Sequence, residues 1–84
     1  MEILVFGAPW CNKCKALEAW LDRVDVTFTK LDVDASPMLV TNYGIKSLPT
    51  TIVVDDDGEE LQRKTGTDIK SLLDDMLITY DESN

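Results

Sequence analysis

The first apolar positions run together: Ile3, Leu4, Val5 and Phe6 are closed off by Gly7 and Pro9. A continuous short run of this kind predicts a strand, Glu2–Phe6, buried on both faces. From Cys11 to about Val24 the pattern changes: Leu17, Trp20, Leu21 and Val24 recur at helical spacing. Val26–Leu31, with Val26 and Phe28 alternating, predicts a second strand. Ser36 and Pro37 form a helix start, a candidate cap followed by a proline at the first turn. Gly44 is the expected terminator of that short helix. Thr50–Val54 is β-branched throughout and reads as a third strand. The turn Asp55–Gly58, with its Asp57-Gly58 hairpin signal, leads to a returning strand over Glu60–Thr65. Gly66, Thr67 and Asp68 then break the chain before a last helix, whose apolar stripe is Ile69, Leu72, Leu73, Met76 and Leu77. Residues 1–80 are expected to form one domain, with 81–84 a flexible acidic tail.

The order β-α-β-α-β-β-α defines an α/β class. A β-α-β unit crosses over right-handed and pairs its strands in parallel, whereas the final hairpin is antiparallel. The expected result is one mixed four-stranded sheet, in the order 2-1-3-4, with helices on both faces.

Composition narrows the function. Of 84 residues, 44% are apolar, enough for a globule. The net charge of −8 is uneven: residues 1–54 carry five bases and six acids, residues 55–84 three bases and ten acids. That balance argues against nucleic-acid binding, which needs a basic stripe. The Ile3–Phe6 run is too short for a membrane span or a signal core, so no membrane association and a cytoplasmic location are expected. There is no histidine, which removes histidine-based acid–base chemistry and histidine-containing metal sites. No cofactor and no metal are expected.

Candidate chemistry concentrates in Ala8-Pro9-Trp10-Cys11-Asn12-Lys13-Cys14-Lys15, where the first strand gives way to the first helix. A cysteine at a helix N-terminus faces unpaired N–H groups and the positive end of the helix dipole, which favours its thiolate. Lys13 and Lys15 add positive charge beside Cys11. Cys14 follows one turn later on the same side, within reach of a disulfide. Other readings of the pair remain. A structural disulfide would close a loop worth only about 2 kcal/mol. A zinc site would need carboxylates or a second chain to complete it. Two buried cysteines could simply pack as small hydrophobes. The strand–CxxC–helix context favours redox chemistry. Downstream, Ser47-Leu48-Pro49-Thr50 precedes the third strand. Proline is tolerated at a strand start, but with the upstream cysteine pair a cis Leu48–Pro49 bond is the expectation.

Together these residues resemble the thioredoxin family. Trp10-Cys11-x-x-Cys14-Lys15 looks like its active-site stretch, Lys30-Leu31-Asp32-Val33-Asp34 like the strand after the first helix, and Tyr43–Thr50 like the segment leading to its cis-proline. Gly58-Glu59 and Gly66 also fall in place. The resemblance implies a minimal thioredoxin- or glutaredoxin-like redoxin that reduces protein disulfides. In that scheme Cys11 is the nucleophile, and Cys14 resolves the mixed disulfide. The backbone of Leu48, beside Pro49, would pair with the substrate chain, and Trp10 and Gly66 would shape the docking surface. Expected partners are disulfide-containing proteins and a thioredoxin-reductase-like donor, with the protein a monomer.

The chain departs from the family in three ways. The chain is expected to start at the family's second strand, without the usual leading strand and helix. Asn12-Lys13 replaces the Gly-Pro between the cysteines of thioredoxins proper. Val5 stands where the family often buries an aspartate, and Gly7 where it often has tryptophan. Lacking that acid, water or Lys30 would assist Cys14. Two other functions stay open: a glutathione-dependent, glutaredoxin-like enzyme, toward which the size and Thr65–Asp68 lean, and a non-enzymatic binding module of the same fold.

Overall fold

The computed structural model describes residues 1–73. In chain order the elements are β1 (Glu2–Gly7), α1 (Asn12–Arg23), β2 (Thr29–Asp32), α2 (Pro37–Tyr43), β3 (Thr50–Val54) and β4 (Glu60–Thr65). Residues 70–73 begin a further helix. Met76 and Leu77 of the expected stripe, and the expected tail over 81–84, lie outside the described residues.

The strands form one sheet in the order β2-β1-β3-β4. β1 pairs in parallel with β2, Val5 opposite Lys30 and Gly7 opposite Asp32. It pairs antiparallel with β3, Val5 opposite Thr51. β3 and β4 are antiparallel, with a register irregularity at Val53/Val54. The two central strands are the apolar ones, and every residue of β3 is buried. β4, by contrast, is exposed along its whole length and carries Glu60, Arg63 and Lys64. Charges on an edge strand discourage pairing with another chain.

Alternation along β1 divides the core into two layers. Ile3 and Val5 face Leu17 and Leu21 of α1 together with Ile69, Leu72 and Leu73. Leu4 and Phe6 face the other way, toward Leu39, Val40 and Tyr43 of α2. Helices therefore cover both faces of the sheet. The Phe6 and Tyr43 rings meet at 5.9 Å in a tilted arrangement.

Two local expectations need correction. β2 is shorter than Val26–Leu31, because the end of α1 claims Val26. Asp25 adopts a left-handed φ of 60°, its N–H bonds the Asp22 carbonyl, and the Val26 N–H returns to Leu21 at 3.0 Å. This Schellman arrangement satisfies the last carbonyls of the helix and keeps the Val26 amide out of the ladder. Val26 and Phe28 still pack against the core, but from the connection, while Val24 ends exposed. Ser36 occupies the cap position of α2 without a side-chain capping bond, and Pro37 does open the helix. The turn after β3 falls at Asp55–Gly58 as expected, with the Gly58 N–H donating to the Asp55 carbonyl at 3.0 Å, and Asp55 Oδ1 accepts from the N–H groups of both Asp57 and Glu59. Gly44, as expected, closes α2 with φ 63°. Among the described residues no helix is long and apolar enough to cross a membrane.

Candidate functional site

The site forms where β1 ends. After Gly7 the chain turns through Pro9 and Trp10, and the Cys11 N–H donates to the Ala8 carbonyl at 3.1 Å. Cys11 is extended, with φ −95° and ψ 106°, and is the N-cap of α1 rather than its first helical residue. Its Sγ accepts the Cys14 N–H at 3.2 Å, so the sulfur sits where a capping oxygen ordinarily sits. α1 has no acid in its first turn to offset the positive end of its dipole. Cys14 lies on the inner side of the same turn. The two cysteines are joined as a disulfide, with Cα atoms 5.3 Å apart.

The two sulfurs differ sharply in access. Cys14 is fully buried, while Cys11 is half-buried and helps line a groove with Trp10, Val33, Val40, Ile45 and Leu48. Trp10 is 67% exposed, which sets aside simple core packing for it. Its indole N–H donates to Asp34 Oδ2 at 3.1 Å, so the ring is held over the surface by the segment after β2. Trp20, by contrast, packs partly buried against the core.

The far wall is the segment between α2 and β3. The Leu48–Pro49 peptide bond is cis. Pro49 is fully buried, and Leu48 reaches the groove. The Pro49 carbonyl accepts the Gly66 N–H at 2.9 Å. The end of α2 is anchored separately, because the Tyr43 carbonyl accepts from the Arg63 guanidinium and the Tyr43 hydroxyl donates to the Gly58 carbonyl at 2.7 Å.

The structure thus brings Trp10, Cys11 and Leu48 onto one groove, with Cys14 beneath it and Pro49 and Gly66 behind it. It does not bring the three lysines together. Lys13 and Lys15 are exposed on α1. Lys30 is 61% exposed and pairs with Glu18 of α1 at 3.1 Å. The sequence reading missed two polar residues of the site, Asp34 and Glu18. An acid in the connection after a strand is an ordinary loop residue, so Asp34 carried no signal.

A disulfide-bonded CxxC pair at a helix N-terminus, sharing a groove with the residue before a cis-proline, on a mixed sheet of this order, defines a redox-active dithiol domain. The comparisons agree. The sequence model of the thioredoxin family matches residues 1–79. The Chlamydia muridarum thioredoxin is 40% identical over 78 residues, covering 87% of this chain and 76% of that protein. The SPbeta prophage-derived thioredoxin-like protein YosR of Bacillus subtilis is 33% identical over 66 residues, covering 79% and 82%. The solved Trichomonas vaginalis thioredoxin superposes with a TM-score of 0.76 at 29% identity, covering 92% of this chain and 77% of that one. The chain belongs to the thioredoxin family and is a disulfide oxidoreductase.

Proposed function

We propose that the protein reduces disulfides of partner proteins, with Cys11 as nucleophile and Cys14 as resolving thiol. The observation that carries this reading is the difference in access between the two sulfurs: Cys11 opens on the groove, and Cys14 is fully buried. Only a sulfur that substrate can reach can begin the exchange, and only its neighbour can end it within the protein. In the reduced state the Cys14 N–H and the helix dipole act on Cys11 and favour its thiolate. The substrate chain lies along the groove beside Trp10, pairing with the backbone at Leu48, and Pro49 and Gly66 hold that wall in place. A peptide taken up in this way adds main-chain hydrogen bonds without demanding a particular sequence.

On this reading the protein works as a monomer in the cytoplasm and is recharged by a thioredoxin-reductase-like donor. Turnover of a model protein disulfide, with either NADPH and a thioredoxin reductase or glutathione as the sole source of electrons, tests the donor. Sustained turnover with the reductase and little with glutathione is expected. The reverse preference would move the protein to the glutaredoxin-like reading.

A further inference from the structure

Cys14 poses a chemical problem that its surroundings must solve. Resting on the dithiol exchange proposed above, it has to become a thiolate in order to attack, yet it is fully buried, and burial disfavours the charged form. β1 offers no acid or base beside it, because the positions facing α1 there are Val5 and Gly7.

Gly7 is where space has been left. A Cβ at this residue would lie 3.0 Å from Cys14 Cβ, 3.1 Å from Cys14 Sγ and 3.5 Å from Glu18 Oε2. The resolving sulfur and a carboxylate oxygen therefore flank the same bare stretch of backbone. Glu18 comes from the turn of α1 after Cys14, and its side chain is only 14% exposed. A carboxylate on the inner side of a helix is costly to desolvate, and an apolar side chain would suit the adjoining core of Leu17 and Leu21 better. The acid is held there from the sheet, since Lys30 of β2 reaches across to Glu18 Oε1 at 3.1 Å. That leaves Oε2 on the Gly7 and Cys14 side. The other charged group at this edge, Asp32 opposite Gly7, is turned away and accepts the Asp34 N–H at 2.9 Å.

We propose that Glu18 is the proton acceptor for Cys14, with Lys30 as its positioning residue. In the first step the Cys11 thiolate attacks the substrate disulfide. A Cys11–substrate bond forms, and one substrate sulfur leaves. Glu18 then takes the Cys14 proton, directly or through one water. The Cys14 thiolate attacks Cys11 Sγ, the Cys11–Cys14 bond forms, and the second substrate sulfur leaves and recovers the proton from Glu18. Two electrons pass from the dithiol to the substrate disulfide, and no other reductant is involved. Lys30 holds Oε1 and so leaves Oε2 on the side of the sulfur, without touching the reacting atoms.

The test is single-turnover exchange of the reduced protein with a protein disulfide, acid-quenched and resolved by mass, comparing the parent with Glu18→Gln. Positioned acid–base groups typically contribute 10²–10⁴-fold, and with water as a competing acceptor we expect resolution in the variant to slow about ten- to a hundredfold at pH 7. The mixed disulfide should accumulate, its formation should be nearly unchanged, and the deficit should narrow as pH rises and Cys14 ionises unaided. A second readout runs in the opposite direction. In a Cys11→Ser background, Glu18→Gln should make Cys14 alkylate at lower pH, because a neighbouring negative charge has been removed. Glu18→Asp, which keeps the charge one methylene further back, should recover part of the rate. Resolution within twofold of the parent, or an equal loss at every pH, would overturn the role of Glu18 while leaving the dithiol mechanism standing. A parent protein with no turnover would remove the mechanism itself, and the proposal with it.

Discussion

The Gly66 amide donates to the Pro49 carbonyl at 2.9 Å, which ties the end of β4 to the turn that carries the cis bond. Gly66 makes this contact at φ 91°, a conformation that a side chain disfavours by about 1–2 kcal/mol. The groove wall at Leu48 is thus backed by one residue whose backbone must stay left-handed.

Gly66→Ala should accordingly lower the stability of the oxidised protein by about 1–2 kcal/mol, read as a lower urea midpoint at unchanged slope. It should also raise KM for a protein disulfide more than it lowers kcat, because the docking wall is displaced and the cysteines are not. Unchanged stability would mean that the backbone relaxes there without cost.

Gly7→Ala meets a different obstacle. Its methyl group would press on Cys14 at 3.0 Å, tighter than carbon atoms ordinarily pack. Overpacking a core typically costs about 1–3 kcal/mol, and denaturation of the oxidised protein should show a loss in that range. Parent-like stability would contradict the close approach of α1 to β1 at this point.

The edge of the sheet supplies a pH dependence. Arg63 donates to both carboxylate oxygens of Glu60, at 2.8 and 2.6 Å. This hydrogen bonding, with a smaller Coulombic contribution, holds the carboxyl below its ordinary value of 4.5 against a modest opposing effect of burial. A carboxylate depressed in the folded state stabilises fully above its unfolded value, and that stabilisation is lost as pH falls through the folded value. Glu60→Gln should therefore be less stable than the parent at pH 7, by under about 1 kcal/mol for so solvent-screened a pair. The two proteins should converge below the ordinary carboxylate range. A difference that persisted into acid would assign the effect to packing instead.

The sequence was most legible where local chemistry and tertiary placement agree. β3 and β4 fall at their expected residues because β-branched runs and an Asp-rich turn leave few alternatives. α2 ends at Gly44 because a left-handed glycine both stops a helix and caps it. The start of β2 was obscured for the complementary reason. Asp25 performs the same left-handed turn without being glycine, and nothing in its spelling announces it. At the site, the cysteine pair and the proline stood out as motifs, and the family resemblance joined them. The tie from Trp10 to Asp34 spans 24 positions and arises only when β2 is laid beside β1. Glu18 was hidden because an acid on a helix is ordinarily a surface residue, and only the folded chain brings both its Oε2 and the Cys14 sulfur against the bare backbone at Gly7.

The most direct test of the account replaces the two cysteines one at a time and follows reduction of a protein disulfide. The account predicts that Cys11→Ser abolishes both turnover and covalent capture. Cys14→Ser should also abolish turnover but accumulate a one-to-one mixed disulfide through Cys11. Turnover surviving in Cys11→Ser, or capture through Cys14 in the parent protein, would contradict it.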